Sequence, residues 1–371
     1  MDELDISLYK RYPKKVENEM LVAESERLRL PVNMGLPTRA TINSTTDCNL
    51  RCDMCRYHGQ VRLQHETLPF EVFESVAAQI FPTLKELHAT VKGEPLLTPY
   101  WNSMLSLMAE YGVRLNLTTN GMLLTSEVSE SIIPILRDVK VSFDGATKGT
   151  FERIRRGASF ETVLENIKNF VRLRTVYLER NPGNYSPTLT MQAVLMRDTI
   201  EELPDIARLA SEIGADRVKG FNLIVYDPAF LGQSLLYDQE RSNRYLLEAK
   251  RVAKELGLET KYQEPFDGKS NIFDYEEVGE RKRDCAFLWR QFNIDPDGNV
   301  RPCCHDKSPV MGSVYENSVK EVWNGEAYRN MRSRLDSEDL YQCCKRCAMI
   351  SKKVMDARAF IFTDGGLDGQ V

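Results

Sequence analysis

Thr46-Asp47-Cys48-Asn49-Leu50-Arg51-Cys52-Asp53-Met54-Cys55-Arg56-Tyr57 carries three cysteines spaced Cys-x3-Cys-x2-Cys. It directly follows Ala40–Thr45, a run of small and β-branched residues that reads as a strand. The cysteines therefore sit on a loop at the C-terminal end of a strand. Three thiolates suit a four-iron cluster, because one iron then lacks a protein ligand and stays open to an amine and a carboxylate. A structural zinc ion needs a fourth ligand, and His58 is the residue that could supply it.

Outward from this loop, strand-like runs alternate with amphipathic helical runs. Strands are expected at Ala40–Thr45, Glu86–Val91, Val113–Thr118, Val139–Phe143, Thr188–Leu195 and Arg217–Val225. Helices are expected at Phe70–Ile80, Trp101–Tyr111, Ser126–Leu136, Phe160–Tyr177 and Ile200–Ile213, the last stopped by Gly214. This alternation argues for an α/β fold with a parallel sheet and right-handed crossovers. Six strand units rather than eight suit an incomplete barrel or an open doubly wound sheet. In both, functional residues gather where strands end and loops begin.

The division expected from the sequence is a lead-in over 1–37, a core over 38–228, and a linker helix with a smaller metal-stapled domain over 229–371. The lead-in carries a helical stretch over Val16–Leu28, and the linker helix covers Gln239–Leu256. Of nine cysteines, none lies between Cys55 and Cys285 and six lie from Cys285 to Cys347. Phe292–Asp295 and Val300–Cys303 read as two strands joined by the turn Pro296-Asp297-Gly298-Asn299. A helical stretch, Val319–Leu335, leads to the last cysteines. Cys285, Cys303, Cys344 and Cys347 can close a tetrahedral set, for which zinc and iron–sulfur both qualify. Cys304 and Cys343 are left over, either as buried small residues or as thiols able to give a hydrogen atom to a substrate radical.

The first cysteine loop resembles the defining motif of the radical S-adenosylmethionine (SAM) superfamily. Later motifs follow in the same order. Lys92-Gly93-Glu94-Pro95 looks like the family's Gly-Gly-Glu-Pro element, which contacts the SAM amino group, with Lys92 in place of the first glycine. Thr118-Thr119-Asn120-Gly121 ends the third strand. Ser142-Phe143-Asp144-Gly145 looks like the Ser-x-Asp-Gly element near the SAM ribose and carboxylate. Arg155 and Arg156 are both candidates for the arginine that faces the SAM carboxylate, and Met54 stands at an adenine-flanking position that is often aromatic. The second cysteine set is similar to the SPASM extension in its shorter, single-cluster twitch form, as is Ser318-Val319-Lys320-Glu321-Val322-Trp323-Asn324.

The resemblance implies a partial (β/α)6 barrel of the TIM type and a C-terminal auxiliary-cluster domain with a β-hairpin and helices. It implies two [4Fe-4S] clusters and SAM as cofactors, with Cys48, Cys52 and Cys55 holding the SAM-binding cluster and Cys285, Cys303, Cys344 and Cys347 the auxiliary one. Reductive cleavage of SAM to a 5′-deoxyadenosyl radical, hydrogen abstraction and an electron donor such as flavodoxin or ferredoxin follow from it. Peptide-modifying relatives carry a leader-binding domain longer than this lead-in, so the expected substrate is a small polar molecule: a sugar, aminocyclitol or amino-acid derivative. A peptide is the second reading, and a non-catalytic zinc protein the reading of another class.

Composition adds exclusions. With 42% apolar and 28% charged residues and a net charge of −5, the 371-residue chain favours no nucleic-acid partner; Arg281-Lys282-Arg283 reads as solvated surface. Met1–Lys15 has no secretory signal pattern, and no long apolar run spans a membrane. A cytoplasmic enzyme is expected, because a reducing compartment gives clustered cysteines metal roles rather than disulfides.

Overall fold

The computed structural model describes residues 11–57, 65–266, 285–304, 308–345 and 347. His58 and the Arg281–Arg283 stretch lie outside them. The core begins with strand β1 (Arg39–Ile42). It continues through α2 (Phe70–Ile80), β2 (Glu86–His88), α3 (Trp101–Tyr111), β3 (Arg114–Thr119), α4 (Ser126–Ile132), β4 (Leu136–Ser142), α5 (Lys148–Ile154) and α6 (Phe160–Arg180). β5 (Thr188–Leu195), α7 (Leu203–Glu212), β6 (Arg217–Asn222), α8 (Gln239–Glu255) and β7 (Glu259–Lys261) follow. Strands β1 to β7 pair in chain order and in parallel, which with the outer helices makes the partial barrel.

The expected helix over Ser126–Leu136 stops at Ile132, and β4 starts early at Leu136. Pro134 cannot continue a helix, so the chain turns into the strand there. The expected Val319–Leu335 helix is two: α10 (Val319–Trp323) and α11 (Glu326–Arg334). Between them a Cβ on Gly325 would lie 2.8 Å from the Glu321 carbonyl oxygen, so the tight turn needs glycine.

The hairpin of β8 (Gln291–Ile294) and β9 (Asn299–Arg301) does not stand apart. β8 pairs in parallel with β1, Arg39 opposite Gln291 through Ile42 opposite Ile294, and a short β10 (Gly312–Ser313) pairs with β9. One ten-stranded sheet thus carries both cysteine regions. α9 (Phe287–Arg290) precedes the hairpin, and α12 (Gln342–Lys345) ends the described helices. The lead-in helix α1 (Pro13–Arg27) is tied to both sides. Buried Lys15 donates to the Phe81 carbonyl at 3.0 Å, and Arg290 pairs with Glu19 and Glu26.

Alternation fixes the two faces of the sheet. Leu115, Leu117, Val139, Val141, Leu189, Met191 and Val218 are fully buried under the helices. Val163, Ile167 and Phe170 of α6 supply part of the apolar face opposite them. The alternate residues, including His88, Thr118, Lys140, Gln192 and Lys219, are half-buried and line the lumen. A parallel strand covered on both faces reads as a continuous apolar run; these strands alternate because one face meets the lumen. Among the described residues no helix is long and apolar enough to cross a membrane.

Candidate active site at the barrel mouth

The first cysteine loop is clamped by the ends of β2 and β3 and by α5. A Cβ on Gly93 would lie 2.4 Å from the Asp47 carbonyl oxygen, so glycine lets the two backbones touch. Next to it, the Glu94 N–H donates to that same oxygen at 2.7 Å. The buried Glu94 carboxylate accepts from the Thr119 hydroxyl at 2.7 Å and the Asn120 N–H at 2.8 Å. Burial outweighs these donors and pushes its pKa up to about 7. Asn120 in turn donates to Asn49 Oδ1 at 2.7 Å and points its amide at Cys48 Sγ, 3.9 Å away. From the end of α5, the carbonyls of Arg156 and Ile154 accept the N–H groups of Arg51 and Asp53 at 3.0 and 3.2 Å.

The two candidate arginines separate here. Arg155 is buried, 2.6 Å from Asp144 Oδ2 through Nε, with Nη1 3.9 Å from Cys52 Sγ. Asp144 also accepts the Val194 N–H at 2.6 Å, joining the ends of β4 and β5. Arg156 turns outward, its side chain 67% exposed, and pairs with Asp53 at 2.7 Å. Met54 is buried beside Leu50, Ile154, Met196, Leu223 and Val225. Pro95 opens a single 3-10 turn after Glu94. Ser142, the last residue of β4, faces the lumen.

Cys48, Cys52 and Cys55 lie within electrostatic reach of one another, and burial pushes Cys52 up to about 11 and raises Cys48. One buried and two half-buried thiols, with N–H donors aimed at two of the sulfurs, fit an iron–sulfur cluster, whose sulfurs accept such donors. Among the described residues no three His, Cys, Asp or Glu side chains approach closely enough to hold a single metal ion.

Lys92, the departure from the family motif, reaches across to the hairpin. Its Nζ is 2.6 Å from Asp295 Oδ1, just past β8. Asp295 also holds Arg301 at 2.8 Å. Arg56, at the end of the cysteine loop, stacks on Tyr226 at 4.3 Å. Sequence reading singled out none of Asn49, Thr119, Tyr226 or Asp295. Their partners lie far away in the chain, so no spacing marked them.

The second cysteine set gathers too. Cys344 feels the charges of Cys285 and Cys303, and Cys285 that of Cys347. Cys343 is buried in the core, its sulfur 4.0 Å from that of Cys344. Cys304 is exposed and within electrostatic reach of Tyr226.

With this geometry in place, the chain can be set beside known proteins. The radical SAM superfamily pattern matches residues 42–210, and the SPASM iron–sulfur cluster-binding domain pattern matches 285–348. This protein belongs to the radical SAM superfamily. The chain is 25% identical over 329 residues to the tungsten-containing aldehyde ferredoxin oxidoreductase cofactor-modifying protein of Pyrococcus furiosus, covering 82% of this chain and 85% of that one. It is also 25% identical over 326 residues to the PqqA peptide cyclase of Bradyrhizobium diazoefficiens, covering 84% and 79%. The crystal structure of Streptococcus suis SuiB bound to S-adenosylmethionine shares the fold, with a TM-score of 0.60 at 16% identity, covering 85% of this chain and 71% of that one.

As a radical SAM protein with a SPASM segment it is an enzyme, and its cofactors are SAM and two iron–sulfur clusters. One expectation is overturned. The small polar substrate, and with it the small-molecule partner, was inferred from the short lead-in. Relatives that align with 84–85% of this radical SAM chain are peptide cyclases by name, so the length of the lead-in does not report the substrate.

Proposed function

We propose that this protein is a peptide-modifying radical SAM enzyme of the SPASM type. The observation that carries the reading is the alignment with PqqA peptide cyclases along about four-fifths of both chains. Bound at the cysteine loop, the first cluster would supply the electron for reductive cleavage of SAM to methionine and a 5′-deoxyadenosyl radical, the species able to take hydrogen from the substrate. Cys48, Cys52 and Cys55 hold that cluster. Cys285, Cys303, Cys344 and Cys347 would hold the auxiliary one, which would supply a site for electron exchange. Both are [4Fe-4S] in this reading.

The protein's own residues position SAM. The turn Lys92-Gly93-Glu94-Pro95 presents backbone to the amino group, with Glu94 and Asn120 locking it to the cysteine loop. Ser142 faces the ribose. Arg155 carries positive charge toward the carboxylate while Asp144 fixes its direction, and Arg156 anchors the loop instead. Met54 packs beside the adenine. Of the two remaining cysteines, we assign the hydrogen-donor role to Cys304; its exposure near Tyr226 supports this, whereas Cys343 is buried in packing. The electron donor is of flavodoxin or ferredoxin type, and the setting is the cytoplasm, where clustered cysteines stay reduced.

The test is anaerobic reconstitution with SAM, reductant and short peptides encoded beside the gene. The expected result is 5′-deoxyadenosine together with a mass change in one peptide. Deoxyadenosine formed equally with and without every peptide, with no peptide altered, removes the reading. Cys303→Ala is expected to halve the roughly eight irons of a two-cluster protein, while Cys304→Ala keeps them.

A further inference from the structure

Most strands of the barrel carry charged residues on the less buried face, and most of those charges are matched. Arg137 pairs with Glu86 at 2.7 Å, Lys140 with Asp138, and Arg217 with Glu259 at 2.5 Å. Lys261 pairs with Glu259 at 3.5 Å. His88 is neutral, since burial first and Lys140 second hold its pKa down at about 4; it hydrogen-bonds Thr118 at 3.1 Å. Arg39, at the exposed start of β1, has no ion pair among the described residues.

Lys219 is different. It lies mid-way along β6, half-buried, and among the described residues no carboxylate or hydrogen-bond acceptor contacts its ammonium. Its ammonium lies 5.8 Å from the centre of the Phe221 ring on its own strand. Its neighbours across the sheet share this property. Gln192 of β5 pairs in register with Lys219, and Ser142 of β4 pairs in register with Gln192. All three face the lumen, and none of their side chains has a polar partner among the described residues. Three adjacent strands thus present one cation and two neutral hydrogen-bonding groups in a row.

We infer that Lys219, flanked by Gln192 and Ser142, is a subsite for a carboxylate of the substrate. This rests on the peptide reading above and narrows it: the group brought into the lumen is acidic, either an acidic side chain or the peptide's own C-terminal carboxylate. An unmatched half-buried ammonium is costly in itself, and an anion offsets that cost by charge-assisted hydrogen bonds. Burial first, then Lys140, lowers the Lys219 pKa; Asp138 opposes this and Lys261 and Arg217 add to it, so cations outweigh the one carboxylate in the surrounding field, which further favours an anion. Ser142 belongs to the element that the family places near SAM, which sets the acidic group beside the reacting centre. The carboxylate of SAM is a weaker occupant, because in the reading above it is met by Arg155, held by Asp144 just after β4, and β6 lies two strands from β4.

The experiment uses the full chain, reconstituted and loaded with SAM, and reads binding by calorimetry or saturation-transfer NMR. The probes are N-acetylglutamate α-amide, with a side-chain carboxylate; N-acetylglutamine, with only the α-carboxylate; and N-acetylglutamine α-amide, with none. At least one acid is expected to bind at least about tenfold tighter than the neutral amide, and the tighter acid tells side chain from C-terminus. Lys219→Gln is expected to abolish the preference and Lys219→Arg to keep it, with SAM affinity unchanged in both. No preference in the unaltered protein overturns the inference, as does a preference that survives Lys219→Gln. Loss of SAM affinity in Lys219→Gln with the acid preference intact assigns the subsite to SAM and also overturns it. Should Lys219→Gln not fold, Gln192→Leu is expected to weaken acid binding at least about threefold, and no loss there counts against the subsite. Because the probes are single residues, their result stands apart from whether neighbouring peptides are modified.

Discussion

Replacing Lys92 with Met removes one end of the contact between the Gly93-Glu94-Pro95 turn after β2 and the hairpin that leads to Cys303. The Nζ–Oδ1 distance is 2.6 Å, and the side chains of Lys92 and Asp295 are 22% and 8% exposed. Exposed ion pairs contribute about 0–1 kcal/mol, and stripping one end of a buried pair costs about 3–5 kcal/mol. This pair lies between, and Asp295 keeps Arg301 at 2.8 Å and the Asn43 amide at 3.4 Å. A local cost of about 1–2 kcal/mol follows for Lys92→Met. Asp295→Asn leaves both Lys92 and Arg301 without their carboxylate and costs more, about 2–3 kcal/mol. A chain holding two clusters need not unfold in one step, so the measurement is native-state hydrogen exchange read by peptide mass. Amides of β8 and β9 are expected to lose protection by about 5–30-fold in Lys92→Met, while those of β4 and β5 are unchanged. Combining the two substitutions is expected to cost less than their sum. Unchanged exchange over 291–301 in both single variants refutes the idea that this contact couples the two regions.

The two arginines give a matched pair. Arg155→Met strands the buried Asp144 carboxylate and removes a donor to Cys52 Sγ, so a loss of roughly 3–5 kcal/mol and of first-cluster iron is expected; Arg156→Met is expected to change stability by about 1 kcal/mol or less, with iron retained. Gly93→Ala places a methyl 2.4 Å from the Asp47 carbonyl, which is expected to cost at least about 1–3 kcal/mol and to lower iron incorporation, read by absorbance and metal analysis. Glu94 has a folded-state pKa of about 7 against an ordinary 4.5, so it binds its proton more tightly when folded. Its contribution to stability is full below about pH 4.5 and is lost as pH rises through 7, by roughly 3 kcal/mol. Glu94→Gln is expected to flatten that part of the stability–pH profile, and an unaltered slope between pH 5 and 8 argues against the shift.

Much of the site was legible in the chain because its parts are local. The spacing of Cys48, Cys52 and Cys55, the Gly93-Glu94-Pro95 turn and the Asp144-Gly145 turn each lie within a few residues at a strand end. Period-2 alternation was also visible in Arg114–Thr119 and Asp138–Ser142. What it meant was not, since polar residues on a strand face mark either outer solvent or a lumen. His88, Lys140, Gln192 and Lys219 therefore went unmarked as a group. Arg155 and Arg156 could not be told apart by sequence either. α5 ends at Ile154, and consecutive residues leaving a helix point in different directions, one toward Asp144 and the other toward solvent.

By itself the sequence determined the order of the six core strands and of most of the helices between them, the two cysteine sets and the loop on which the first set sits. These follow from short-range periodicity and from which residue types can ligate iron. The tertiary structure alone decided that β8 adds to β1, that Lys92 meets Asp295 some two hundred residues away, and that Ser142, Gln192 and Lys219 form one row. Those contacts depend on strand register and barrel closure, which arise from packing the whole sheet and leave no mark in any one segment.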